Sequence, residues 1–268
     1  MNKLRIVEIE LFAYCNRKCK WCPNSFIDRQ NNDNYLDEEI FKSVIKELHD
    51  NNYQGVFSFS RYNEPLSDLE TLNERIMYIR EYFPETKMVT NTNGDYVTKE
   101  VVENMMIDEL SIMDYDNKGR EWVLDKLVTL GVEDIKEYDT YFIGSYGEKK
   151  ILYYYSWAES ANITDRGGSL EEYSKRIRSR ECYEPMYFIG INYDGTVSPC
   201  CNIRNDIQSD YIIGDLHEQS LVEILESAKR NRFIFDTMLG NYSEDMPCFR
   251  CDNCGGRYTR ENGGIEYA

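Results

Sequence analysis

Three cysteines fall within eight residues, Cys15, Cys19 and Cys22, on a stretch that directly follows the first strand-like run, RIVEIEL. Their spacing, C-x3-C-x2-C, is one thiolate short of a closed tetrahedral zinc site and odd for disulfides. Three ligands on one short loop leave a fourth position open. No further cysteine occurs until Cys182, after which Cys200, Cys201, Cys248, Cys251 and Cys254 follow. Scattered core thiols would not cluster in this way. Two separate metal-type sites, one towards each end of the chain, are the economical explanation.

Between the clusters the sequence alternates strand and helix signals. In LDEEIFKSVIKELHDNN, Asp37 is a plausible N-cap, and Ile40, Phe41, Val44, Ile45 and Leu48 recur at helical spacing. GVFSFS reads as the next strand, with a helix around Leu69, Leu72, Ile76 and Ile79. KMVTNTNGD, VVENMM, ELSIMDY and EWVLDKLVTLG continue the alternation, and KKILYYYSW adds a strand. The pattern predicts a parallel sheet or barrel with its ligand sites at the C-terminal strand ends. The cysteine loop, YNEP and TNGD each follow a predicted strand, on that one edge.

The chain has 268 residues and a net charge of −17. A surface that acidic repels phosphate backbones and anionic lipid, so neither nucleic acid nor membrane is expected as a partner. MNKLRIVEIELFAY carries no long apolar run, and no stretch approaches a membrane span, so a cytoplasmic location is expected. In a reducing compartment the cysteines are not expected to pair as disulfides. His49 and His217, the only histidines, are expected at the surface.

The turn-rich stretch TDRGGSLEEYSKR suggests a boundary near residue 170, giving units at 1–170 and 171–268. Beyond it, YFIGINYDGTVSPC reads as a β-hairpin and SLVEILESAKRNRFIFDTML as a helix. Four thiolates from two loops could close a [4Fe–4S] cluster or a zinc site, and spacing does not separate the two.

A C-x3-C-x2-C loop after the first strand of a β/α array, with Trp21 before the third cysteine, resembles the signature of radical S-adenosylmethionine (radical SAM) enzymes. The resemblance implies a partial (β/α)6 TIM-like barrel in which Cys15, Cys19 and Cys22 hold a [4Fe–4S] cluster. The cluster's open iron would bind S-adenosylmethionine. Trp21, Glu64 in YNEP and Asn93 in TNGD would line the cofactor site, Glu64 towards the ammonium and Asn93 towards the ribose. The C-terminal cysteines resemble the shortened auxiliary-cluster (twitch) module of the SPASM branch, which implies Cys182, Cys200, Cys248 and Cys251 as ligands of a second [4Fe–4S] cluster. Cys201 and Cys254 are then surplus.

Within that branch, CNRKCKWCPNS, FSRYNEPL, TNGD and DRGGSL resemble the members that oxidise aminocyclitol alcohols to ketones. By that resemblance Arg166 orients the substrate hydroxyl, with Tyr62 as a second catalytic candidate. A flavodoxin- or ferredoxin-type donor would supply electrons. The sequence departs from those members at CNIRND after Cys200 and between Leu130 and Ser160, so another polyol, sugar or peptide target is open. A spare thiol, Cys201 or Cys254, opens the alternative of radical epimerisation of a sugar or peptide, and the resemblance to auxiliary-cluster enzymes opens another, maturation of a ribosomal peptide.

Overall fold

The computed structural model describes residues 3–155, 165–173, 177–178 and 180–251. The chain runs β1 (Ile6–Ile9), α1 (Glu38–Asp50), β2 (Val56–Ser58), α2 (Leu69–Tyr82), β3 (Met88–Thr92), α3 (Lys99–Asn104), β4 (Glu109–Met113) and α4 (Arg120–Leu130). Three strands follow, β5 (Glu133–Glu137), β6 (Tyr141–Tyr146) and β7 (Lys149–Tyr154). The C-terminal part holds α5 (Glu184–Tyr187), β8 (Phe188–Ile191), β9 (Thr196–Ser198), β10 (Gly214–Asp215), α6 (Leu221–Glu226) and α7 (Ala228–Met238).

Among the described residues all strands join one open sheet, in the order β10-β9-β8-β1-β2-β3-β4-β7-β6-β5. Strands β8, β1, β2, β3, β4 and β7 are mutually parallel, and antiparallel ribbons extend both edges. The parallel β/α array agrees with the expected barrel-type fold. Its sheet runs across residue 170, because β8 pairs with β1 in the register Glu8 to Gly190.

Helix α1 forms as its sequence predicts. The Asp37 carboxylate accepts hydrogen bonds from the backbone amides of Glu39 and Ile40, and Phe41, Val44, Ile45 and Leu48 are buried. They pack in one continuous core with Leu72, Ile76 and Ile79 of α2 and with Val7, Phe57, Met88 and Leu110 of the sheet. The C-terminal helical signal divides in two, since Ser227 is extended (ψ 148°) and its side chain caps α7. Strands β5 and β6 add a ribbon the sequence does not announce. Four of the five residues of β5 are exposed, so it lacks the inside–outside alternation that marks a half-buried strand.

Candidate active site

Parallel pairing puts the segments after β1, β2, β3 and β4 on one edge of the sheet. There Cys15, Cys19, Trp21, Cys22, Tyr62, Asn93, Tyr115 and Arg166 line one open cleft of about 1140 Å³, together with Arg17, Glu8, Arg61 and Cys201. The cysteine loop is tightly wound. Its Cys22 amide donates to the Cys19 carbonyl at 2.9 Å, and the Ser25 amide donates to the Cys22 carbonyl at 2.9 Å.

Burial pushes the Cys15 thiol up to about 11, with the Glu64 and Cys22 charges adding to it. Burial, then repulsion from Cys22 and Cys15, pushes Cys19 up to about 12. Thiols such as Cys15 and Cys19 that resist ionisation become thiolates only against a strongly cationic partner, and iron supplies that charge. The donor set thus fits an iron–sulfur cluster. No three His, Cys, Asp or Glu side chains among the described residues converge on a single-ion position.

Glu64 lies behind the cleft wall, 2% exposed. Its carboxylate accepts from the Leu66 amide (3.2 Å), the Thr92 hydroxyl (2.6 Å) and the Asn93 amide (2.8 Å). Burial raises its pKa despite these three donors, so a cation beside it would be favourable. Asn93 joins β3 to the cysteine loop through its side-chain amide, which donates to Asn16 Oδ1 at 2.8 Å. Trp21 tilts against Tyr115, ring centroids 5.7 Å apart.

Arg17, which no spacing marks, clamps this edge. Its guanidinium pairs with Asp95, after β3, and at 2.9 Å with Asp116, after β4. Both partners lie more than 75 residues away in sequence, so no local signal could have marked them.

Arg166 and the two glycines after it are all left-handed, with φ of 49°, 65° and 80°. Glycine takes that conformation without a Cβ penalty, which explains the Gly-Gly pair, and Arg166 adopts it at a cost of about 1–2 kcal/mol. The turn carries the Arg166 side chain into the cleft, where its Nε is buried and has no hydrogen-bond partner among the described residues. Burial opposes its charge, but Tyr62, Cys22, Cys201 and Tyr115 outweigh burial, so its pKa is raised and the side chain stays cationic.

Tyr62 ties the two cysteine regions together. Its carbonyl accepts from the Asn24 amide at 2.8 Å, and its hydroxyl donates to the Cys201 carbonyl at 3.0 Å. The Arg204 guanidinium lies 4.1 Å from its ring centroid. A second strut is Arg61, which pairs with Glu8 at 3.1 Å and donates to the Ile203 carbonyl at 3.0 Å. It fits because Gly190 of β8 has no side chain, and a Cβ there would lie 1.6 Å from Arg61 Nη1. Gly190→Ala is therefore expected to lower stability by about 1–3 kcal/mol, read as a lower chemical-denaturation midpoint.

The C-terminal cysteines form a separate small core. Cys200 and Cys248 are buried with Ile203, Ile212, Phe233 and Met246. The Cys182 amide donates to the Thr237 carbonyl at 2.8 Å, and the Cys251 amide donates to the Cys248 carbonyl at 3.2 Å. The Asn202 side chain donates to Cys251 Sγ at 3.8 Å. Burial raises Cys182 and Cys248, while the bond to Cys201, then burial, raises Cys200. Arg178 acts on both Cys182 and Cys251. Again a cationic core is what would stabilise the thiolates. Cys254 lies outside the described residues. His49 and His217 sit at the surface, His49 against Tyr82 and Phe83.

Residues 9–107 match the Radical SAM superfamily, and residues 182–254 match SPASM, an iron–sulfur cluster-binding domain. The S-adenosyl-L-methionine-dependent 2-deoxy-scyllo-inosamine dehydrogenase of Niallia circulans is 25% identical over 255 residues, 94% of this chain and 95% of the relative. Among solved structures, BtrN in complex with AdoMet and 2-DOIA is 23% identical, with TM-score 0.71 over 93% of each chain. AdoMet-bound anSMEcpe is 14% identical, with TM-score 0.53 over 88% of this chain and 81% of that one. With a three-cysteine loop at the C-terminal edge of a parallel sheet and a cysteine-lined module packed beside it, the chain carries a Radical SAM domain and a SPASM domain and is a radical S-adenosylmethionine enzyme that uses S-adenosylmethionine and iron–sulfur clusters.

Proposed function

We propose that the chain oxidises a secondary alcohol of a cyclitol or sugar to a ketone, with an auxiliary cluster as acceptor of the second electron. The observation that carries this is the place of Arg166, a half-buried cation lining the cleft with both Cys22 of one cysteine set and Cys201 beside the other. The dehydrogenase activity named for the Niallia circulans relative supports the reaction class.

When bound, S-adenosylmethionine and a [4Fe–4S] cluster supply a 5′-deoxyadenosyl radical, and a second [4Fe–4S] cluster supplies a one-electron sink. Cys15, Cys19 and Cys22 would hold the first cluster; Cys182, Cys200, Cys248 and Cys251 would hold the second. Glu64 favours an ammonium at the inner wall, with Asn93 and Trp21 flanking the cofactor site. Arg166 remains protonated, so it orients the substrate hydroxyl and stabilises developing alkoxide character rather than removing a proton. Glu8 is the one carboxylate among the described residues lining the cleft, and it receives the hydroxyl proton. In sum the substrate loses one hydrogen atom, one proton and one electron. A small-molecule polyol fits the cleft, a flavodoxin- or ferredoxin-type protein supplies the reducing electron, and a reducing compartment suits the free thiols.

Anaerobic turnover with 2-deoxy-scyllo-inosamine and related polyols tests this, read by mass spectrometry. Product two mass units lighter is expected, with about one 5′-deoxyadenosine per product. Glu8→Gln is expected to lower product formation about 10²-fold while 5′-deoxyadenosine release continues. A second reading, epimerisation, is favoured by Cys201 lining the cleft. It would give product of unchanged mass carrying one solvent deuterium, and would fail in Cys201→Ala.

A further inference from the structure

Two buried residues that do not line the cleft, Asn202 and Arg178, meet the C-terminal cysteines. Asn202 lies in CNIRND, where the sequence departs from the aminocyclitol-oxidising members, and is 2% exposed. Its backbone amide donates to Cys200 Sγ at 3.4 Å and its side-chain amide to Cys251 Sγ at 3.8 Å. One residue thus reaches a sulfur from each of the two cysteine loops. Its Oδ1 is buried without a hydrogen-bond partner among the described residues. A buried acceptor left unpaired costs stability, so packing does not account for an asparagine here.

Arg178 is threaded among the segments that carry the cysteines. Its guanidinium donates to the carbonyls of Arg180 (3.1 Å), Glu181 (3.3 Å) and Cys251 (3.2 Å) and to the Tyr242 hydroxyl (3.1 Å). Its backbone amide donates to the Phe249 carbonyl at 2.7 Å. A guanidinium keeps its charge. That charge favours the thiolates of Cys182 and Cys248 more than the acids acting on them, Glu184 and Asp165, disfavour them. Between them Asn202 and Arg178 act on all four cysteines.

A [4Fe–4S] cluster gains one negative charge on reduction. N–H donors to its sulfurs and a cation beside them therefore raise its potential, and burial lowers it. Cys200 and Cys248 sit with Ile203, Ile212, Phe233 and Met246, where burial alone would make a poor acceptor. The turn that carries Arg166 abuts this site, since a Cβ on Gly167 would lie 2.9 Å from the Asn202 carbonyl oxygen.

We propose that Asn202, as donor to Cys200 and Cys251, and Arg178, as a fixed cation, raise the reduction potential of the auxiliary cluster and fit it to accept the second electron. The inference rests on Cys182, Cys200, Cys248 and Cys251 being that cluster's ligands. One electron leaves a substrate that has already lost a hydrogen atom and its hydroxyl proton. The substrate is oxidised, the cluster is reduced, and no atom moves between them.

The test is an anaerobic redox titration of the reconstituted full chain, followed by electron paramagnetic resonance. A background of Cys15→Ala, Cys19→Ala and Cys22→Ala leaves only the auxiliary cluster to respond. Arg178→Met and Asn202→Asp are each expected to lower the reduction equilibrium constant at least about tenfold, or about 59 mV for one electron. Asn202→Ala removes the donor without adding charge and should lower it less. Arg178→Lys keeps the charge and should fall between Arg178→Met and the unsubstituted chain. An unchanged or higher potential in Asn202→Asp or Arg178→Met would overturn the proposal. If Arg178→Met fails to hold about four irons, the two Asn202 variants decide, and both must fall. Failure of the triple-alanine background to take up a four-iron cluster would refute the ligand assignment, and the inference with it. Product of unchanged mass would refute the oxidation reading, on which the measured potentials do not depend.

Discussion

Cys22→Ala is expected to abolish 5′-deoxyadenosine formation and to strip about four irons per chain from the reconstituted protein. With Cys22 gone, only Cys15 and Cys19 would remain to hold a [4Fe–4S] cluster, and S-adenosylmethionine binding would be lost with it. The auxiliary set shares none of these ligands, so the second cluster's iron and absorbance are retained. Cys22 is half-buried, and its backbone amide rather than its sulfur closes the Cys19 turn, so far-ultraviolet dichroism stays unchanged. Retention of full iron content and of S-adenosylmethionine cleavage by Cys22→Ala would refute the assignment of the loop.

Arg166→Met carries the second large effect. Methionine keeps much of the side-chain bulk but removes the positive charge that Arg166 holds beside Tyr62, Tyr115, Cys22 and Cys201. Product formation is expected to fall about 10²–10³-fold, the scale of losing one preorganised donor at a site of developing negative charge. The discriminating readout is coupling: 5′-deoxyadenosine is still released, now without matching product, because Glu64 and the cysteine loop are untouched. Arg166→Lys keeps charge but not the planar fork, and it should recover only part of the rate. A methionine variant with full coupled activity would leave Arg166 as a structural element of the Gly167–Gly168 turn.

The two effects differ in how visible their causes are in the chain. The cysteine loop is local: its three cysteines fall within eight residues, and the alternation of RIVEIEL puts them at a strand end. The same holds for Asp37 capping α1, for the Asp194–Gly195 turn between β8 and β9, and for the glycines that let Arg166 turn inward. Each depends on neighbours within a few positions, where backbone sterics and short-range hydrogen bonds decide the outcome. Strand β5 was hidden because its exposed residues lack a period, and the break at Ser227 because an apolar helical pattern continues through it.

From its sequence alone the protein was bound to place three thiols, an acid after the second strand and an asparagine after the third along one edge of a parallel sheet. Period and spacing are properties of a chain, and both point there. Only the tertiary structure decided what surrounds them: Arg17 clamped between Asp95 and Asp116, Arg61 crossing a side-chain-free Gly190 to reach Glu8 and Ile203, and Tyr62 joined to Cys201. Those partners are 53 to 142 residues apart. A buried guanidinium is stable only where the fold brings it a matching acid or carbonyl, and nothing in its own neighbourhood names that partner.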